Sequence, residues 1–143
     1  MKSSIQNKKK LVNSVFEKVH KKYDLMNDIM SLGIHRIWKN KLIDWMNPQP
    51  NETLIDVASG TGDVAKLFSD KTKKLGQITC IEPNVQMLNQ GKKKLKKYNN
   101  IKWINAPAEK IPTKDDTFDY YSISYGIRNV SNIHIVLKEA FRV

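Results

Sequence analysis

Four short runs rich in β-branched and aromatic residues, TLIDVA (53–58), QITCIE (77–82), IKWINA (101–106) and FDYYSISYGI (118–127), are separated by longer stretches. Between the second and third runs, NVQMLNQGKKKLKKY sets Val85, Leu88, Leu95 and Tyr98 on one helix face and lysines on the other, behind Asn84 as a natural N-cap. After the fourth run, SNIHIVLKEAFRV places Ile133, Val136, Leu137, Ala140 and Phe141 on one helix face behind Ser131. Strand runs that alternate with helices require crossover connections. The pattern therefore predicts an α/β fold, a parallel sheet with helices on both faces.

The first fifty residues read differently. In LVNSVFEKVHKKYDLMND, Val12, Val15, Phe16, Val19 and Tyr23 recur at helical steps, and Ile34, Ile37, Trp38, Leu42 and Trp45 repeat the pattern before Pro48 and Pro50. This predicts a helical segment over 1–50 and a binding domain over 51–143, with Trp38, Trp45 and Trp103 packed on apolar faces. His20, His35 and His134 lack ligand-like spacing, so no metal site is expected. The single cysteine, Cys80, excludes an internal disulfide and suits a reducing compartment such as the cytoplasm. No segment approaches membrane-spanning length.

The net charge of +11 raises nucleic acid or an anionic membrane as partners. Its make-up, 22 lysines against 3 arginines beside 15 isoleucines and 13 asparagines, is also what A/T-rich codons would produce. The dense basic runs are 8–10 and 92–97.

The loop ASGTGD follows the first strand run, where open parallel sheets place their ligand crevice. Gly60 and Gly62 permit backbone angles and close approach that a Cβ would block. Asp56 and Asp63 flank this loop with negative charge, which repels a pyrophosphate and favours a cationic ligand. S-adenosyl-L-methionine, with its ammonium and sulfonium, fits that requirement. Two structural roles stay open, Asp63 charging the first helical turn and Asp56 pinning backbone amides. Glu82 closes the second strand run, where a carboxylate can accept both hydroxyls of a ribose. GTGDVA also satisfies G-x-G-x-x-A, so the loop by itself leaves NAD as an alternative.

The stretches VFEKVHKKYDLMNDIMSLGIHRIWK, DVASGTGDVA, PAEKIP, FDYYSISYGIRNV and EAFRV together resemble the ubiquinone/menaquinone biosynthesis C-methyltransferase family, from about residue 11 to the end. The resemblance implies a Rossmann-like class I methyltransferase fold and S-adenosyl-L-methionine as cofactor. It implies that Ser59, Thr61, Glu82, Pro107, Ala108 and Ser124 line the cofactor site, with Glu109 near the adenine. Arg128 and Asn129 would act on the substrate, and Tyr23, Asp24 and Asn27 would cover it. The family usually has Asp where Glu82 stands, Asn at Pro107 and Gly at Ser59. Its members continue from the RV at 142–143 into a Lys-Pro-Gly-Gly turn and further strands, so the likeness is to an N-terminal portion with four of seven strands. The implied reaction is C-methylation of a polyprenyl benzoquinol or naphthoquinol, with peripheral contact to an anionic membrane, a quinone-biosynthesis protein complex as partner, and no nucleic acid. The place where nucleic-acid amine methylases carry an Asn/Asp-Pro-Pro-aromatic turn reads SYGIRNV here.

Overall fold

The computed structural model describes residues 33–143. The helical pattern at 11–28, with Tyr23, Asp24 and Asn27, lies outside them. Residues 33–37 belong to a separate compact unit, and the account below concerns Trp38–Val143.

Helix α1 (Ile34–Met46) leads into β1 (Leu54–Val57), α2 (Asp63–Lys71), β2 (Ile78–Ile81), α3 (Val85–Lys94), β3 (Ile101–Ile104), β4 (Tyr120–Ser122), a 3-10 turn (Gly126–Asn129) and α4 (Ile133–Arg142). The four strands form one sheet in the order β3-β2-β1-β4, every pairing parallel. Asp56 lies level with Cys80 on β2 and Ser122 on β4.

All four residues of β1 are buried, as expected of a central strand covered on both faces. Side chains alternate across it. Leu54 packs with Ile43, Val64, Ala65, Phe68, Ile78 and Cys80, whereas Ile55 and Val57 pack with Ile81, Ile111, Val136 and Val143. Helices α1 and α2 thus cover one face and α4 the other.

Asn84 caps α3 as expected, accepting from the amides of Gln86 and Met87. The cap of α4 is Asn132 and not Ser131, because the Asn132 carboxamide accepts from His134 and Ile135. Helix faces also depart from expectation. From Trp38 onward the buried residue of α1 is Ile43, with Leu42 and Met46 partly covered, while Trp38 is exposed and Trp45 is 82% exposed. Val85 is exposed on α3, where Met87, Leu88 and Gly91 are buried. On α4 only Val136 is buried, and Ile133, Leu137 and Phe141 face outward. Trp103 does pack as expected: a Cβ added to Gly91 would lie 2.2 Å from its ring.

Candidate active site

The loops leaving the carboxyl ends of the strands carry the residues singled out from sequence. In the first, Ala58, Gly60 and Gly62 all have positive φ, at 51°, 58° and 83°. Gly60 has room for a Cβ but needs its φ, while a Cβ on Gly62 would also press to 2.8 Å from Trp103. Gly62 in turn caps α2 with no side-chain bond.

Glu82 bridges this loop to the next. Its Oε2 accepts from the Gly60 amide at 2.7 Å and its Oε1 from the Asn84 amide at 2.8 Å. Burial raises the pKa of this carboxyl, and the two amide bonds oppose the rise. Asn105, after β3, donates to the carbonyl oxygens of Glu82 and Pro83 and so joins a third loop to the second.

The two aspartates have opposite surroundings. Asp56 is only 1% exposed; its Oδ1 accepts from the Ser122 hydroxyl at 2.7 Å, and its Oδ2 has no hydrogen-bond partner. Burial pushes its pKa up to about 7, against the Ser122 bond and the attraction of Lys39. Asp63 is clamped by two ammonium groups, Lys39 Nζ at 2.7 Å from Oδ2 and Lys94 Nζ at 2.7 Å from Oδ1. Burial would raise its pKa as well, but Lys39 and then Lys94 outweigh it and hold it at about 2. Lys94 also reaches the Thr61 hydroxyl at 3.2 Å. The charge of Asp63 is therefore balanced within the protein.

Ser59 is half-buried beside Gly60, and Thr61 is buried. Farther along, Pro107 is exposed, Ala108 joins the core under α4, and the Glu109 carboxylate accepts from the Ser131 amide at 2.6 Å. After β4, Ser124 is half-buried and Tyr125 has φ 62°, a left-handed conformation that costs a tyrosine on the order of 1–3 kcal/mol. It lets Gly126 come so near the first loop that a Cβ there would lie 2.4 Å from the Ala58 Cβ. Arg128 and Asn129 follow on the exposed 3-10 turn. The Trp38 ring stacks on Tyr125, with centroids 6.2 Å apart. Helix α1 therefore touches two of the loops, through Trp38 and Lys39.

The model of the ubiE/COQ5 methyltransferase family matches residues 2–143. The chain belongs to that family. A Rickettsia bellii protein named ubiquinone/menaquinone biosynthesis C-methyltransferase UbiE is 49% identical over 142 residues, covering 95% of this chain and 57% of that protein. A Dictyostelium discoideum protein named 2-methoxy-6-polyprenyl-1,4-benzoquinol methylase, mitochondrial, is 41% identical over 169 residues, covering 96% of this chain and 54% of its own. The chain thus spans little more than half the length of these relatives. Among solved structures, a SAM dependent methyltransferase from Aquifex aeolicus superposes with a TM-score of 0.67 at 23% identity, over 73% of this chain and 57% of that one. The α/β fold with a parallel sheet is the fold of such methyltransferases.

Sequence reading missed Ser122, Lys39, Lys94 and Asn105. Ser122 was within reach, since it precedes Ser124 by one strand period and faces as Asp56 does. The two lysines carried no signal, because nothing in the spacing of Lys39 or Lys94 from Asp63 marks them among so many lysines. No described helix is long and apolar enough to cross a membrane.

Proposed function

We propose that this chain binds S-adenosyl-L-methionine on the loops after β1, β2, β3 and β4 and serves C-methylation of a polyprenyl benzoquinol or naphthoquinol. One observation carries the reading: in a chain of the ubiE/COQ5 family, the glycine loop, Glu82 and the GIRN turn gather at one end of the sheet. The names of the Rickettsia and Dictyostelium relatives supply the substrate class.

The residues present fit the cofactor. The unpartnered, buried Oδ2 of Asp56 is an acceptor at the end of β1 that an ammonium would satisfy, directly or through water. Glu82, already fixed by two amides, has lone pairs left for ribose hydroxyls. Ser59, Gly60, Thr61, Gly62, Pro107, Ala108 and Ser124 complete the lining, with Glu109 beside it. Asp63, held by its lysines, fixes the first turn of α2. The bound cofactor supplies an electrophilic methyl group.

Arg128 cannot act as a base, because guanidinium keeps its proton in proteins. It stabilises the anion of a quinol hydroxyl or orients a water that takes the hydroxyl proton, and Asn129 hydrogen-bonds a ring oxygen. Tyr23, Asp24 and Asn27 cover the substrate. The protein works in the cytoplasm at the periphery of an anionic membrane, with other quinone-biosynthesis proteins as partners.

Calorimetry with S-adenosyl-L-methionine and, separately, NADH tests the cofactor assignment. Uptake of the sulfonium compound and none of NADH is expected, and the reverse overturns the reading. Transfer of labelled methyl to polyprenyl quinols tests the reaction. Arg128→Ala should lower transfer about 10²- to 10³-fold while leaving cofactor affinity unchanged. Cofactor uptake without transfer would reduce the chain to a binder.

A further inference from the structure

A second cleft opens at the amino ends of β2 and β3, away from the glycine loop. Lys74, Gln77, Lys97, Asn99 and Asn100 line it, around a volume of about 430 Å³. Its floor is held by side chains that are already engaged. Asn100 is buried, and its Nδ2 donates to the Ser69 hydroxyl at 2.9 Å and to the Gly76 carbonyl at 2.6 Å. The Thr72 hydroxyl accepts from the Gly76 amide at 3.3 Å, and a Cβ on Gly76 would lie 2.7 Å from the Glu52 carbonyl oxygen. The last turn of α2, the turn after it and the start of β3 are thereby tied together. Lys73 and Lys74 take left-handed backbone, φ 54° and 64°, which is uncommon for residues with a Cβ. The Lys74 amide turns back to the Ser69 carbonyl at 2.7 Å, and its ammonium sits over the Tyr98 ring, 5.2 Å from the centroid.

Charges at this end of the sheet are sorted. Glu52 and Asp119 belong to the side of β1 and β4, where Glu52 accepts from the Tyr120 hydroxyl at 3.0 Å and Asp119 from the Thr53 amide at 2.7 Å. Asp70 accepts from the Tyr98 hydroxyl at 2.9 Å with one oxygen and from Lys66 at 2.8 Å with the other. Among the described residues, neither Lys74 nor Lys97 has a carboxylate partner, and the carboxamides of Gln77 and Asn99 make no hydrogen bond. Two ammonium groups and two free carboxamides therefore line one cleft whose lining holds no acid. We propose that this cleft binds a phosphate-bearing group, with Lys74 and Lys97 giving charge-assisted hydrogen bonds and Gln77 and Asn99 neutral ones. Lysine meets a phosphate as a point charge, whereas a planar carboxylate is matched by the forked guanidinium, and the lining has no arginine. The volume lies in the range of small-molecule sites and leaves room for the organic part of an ester. A soluble phosphate ester and the headgroup of an anionic lipid share this chemistry.

Calorimetry with inorganic pyrophosphate tests the site at physiological salt, where exposed charges beyond about 8 Å are largely screened. Saturable one-to-one uptake is expected, with shifted side-chain amide signals of Gln77 and Asn99 in NMR spectra. Lys74→Gln and Lys97→Gln should each weaken uptake about tenfold, the loss of one charge-assisted hydrogen bond near a surface. Lys92→Gln with Lys93→Gln removes two charges outside the lining and should leave uptake unchanged. All four side chains are exposed, so matching thermal melts check that the variants fold. Absence of saturable uptake overturns the proposal. So does an equal loss in the Lys92 and Lys93 pair, which would assign uptake to overall charge. Glycerol phosphate in solution and phosphatidate vesicles, each competed against pyrophosphate, separate the two sources. Displacement by glycerol phosphate alone upholds the site for a soluble ester, displacement by vesicles upholds it for a headgroup, and displacement by neither overturns it. No methyl donor or quinol enters the measurement, so its outcome is independent of the proposed reaction.

Discussion

Asp56 and Asp63 flank one loop, yet the protein treats their carboxylates oppositely, and each difference has a measurable consequence. Burial raises the Asp56 pKa from the ordinary 3.8 to about 7. Folding therefore favours its protonated form, and the stability it contributes is lost as pH rises from about 4 to about 7. Asp56→Asn should flatten that fall, so thermal melting of variant and native chain should diverge steadily across this window and run parallel above it. Glu82, raised in the same direction, stays common to both proteins. Asp63 and Glu139, each held down to about 2, act in the opposite sense, losing stability only as pH drops below about 4. A cationic ligand prefers ionised Asp56, so affinity for S-adenosyl-L-methionine should climb through pH 7 and lose that climb in Asp56→Asn. The Asp63 clamp gives a second prediction. Lys39→Met leaves one carboxylate oxygen without its ammonium in a half-buried place, which should cost about 1–3 kcal/mol in denaturant unfolding. No loss would mean that Lys94 alone satisfies the carboxylate.

Strands were far more legible than helix faces, for a physical reason. TLIDVA, QITCIE and IKWINA hold runs that a sheet covered on both sides requires, and β1, β2 and β3 appear inside them. A helix period shows that a face exists without showing which neighbour it meets. Trp38, Trp45, Leu137 and Phe141 share apolar stripes with residues that are buried, yet sit outside the contacts that cover Ile43 and Val136. The cap of α4 slid by one residue because serine and asparagine stand side by side and both suit the position. The glycine loop and Glu82 were legible because backbone geometry limits the residue choice there. Packing between elements was not: a glycine inside a helix ordinarily weakens it, but the missing Cβ of Gly91 in α3 is what admits the Trp103 ring. Gly91→Ala should therefore destabilise by about 1–3 kcal/mol despite alanine's better helix propensity. Adding Trp103→Leu should recover part of the loss in urea titrations, and an additive pair would show that the ring is not the obstacle.

The lysines acquire meaning only from the way the sheet arranges them. Lys74 precedes β2 and Lys97 precedes β3, and with Gln77, Asn99 and Asn100 they line one polar cleft of about 430 Å³. Because the strands are parallel, this cleft lies at the end of the sheet away from the glycine loop. A membrane drawn to it would leave the loops at the carboxyl ends of the strands clear. Within the basic run 92–97, Lys94 is already committed to Asp63, while Lys92, Lys93, Lys96 and Lys97 are exposed and available. Each lysine near an anionic leaflet contributes roughly 1 kcal/mol, so reversing these four to glutamate should abolish binding to phosphatidylserine vesicles at physiological salt. Changing Lys94 instead should disturb stability more than vesicle binding. Vesicle binding should also fall as salt is raised, since exposed charges are screened beyond about 8–10 Å. Cofactor affinity should survive the four-fold reversal, because Lys94, the lysine of this run that bonds to Thr61 and Asp63, is kept. Vesicle binding that persists unchanged would assign the +11 charge to composition, and retention of duplex DNA in its place would move the surface to a different partner.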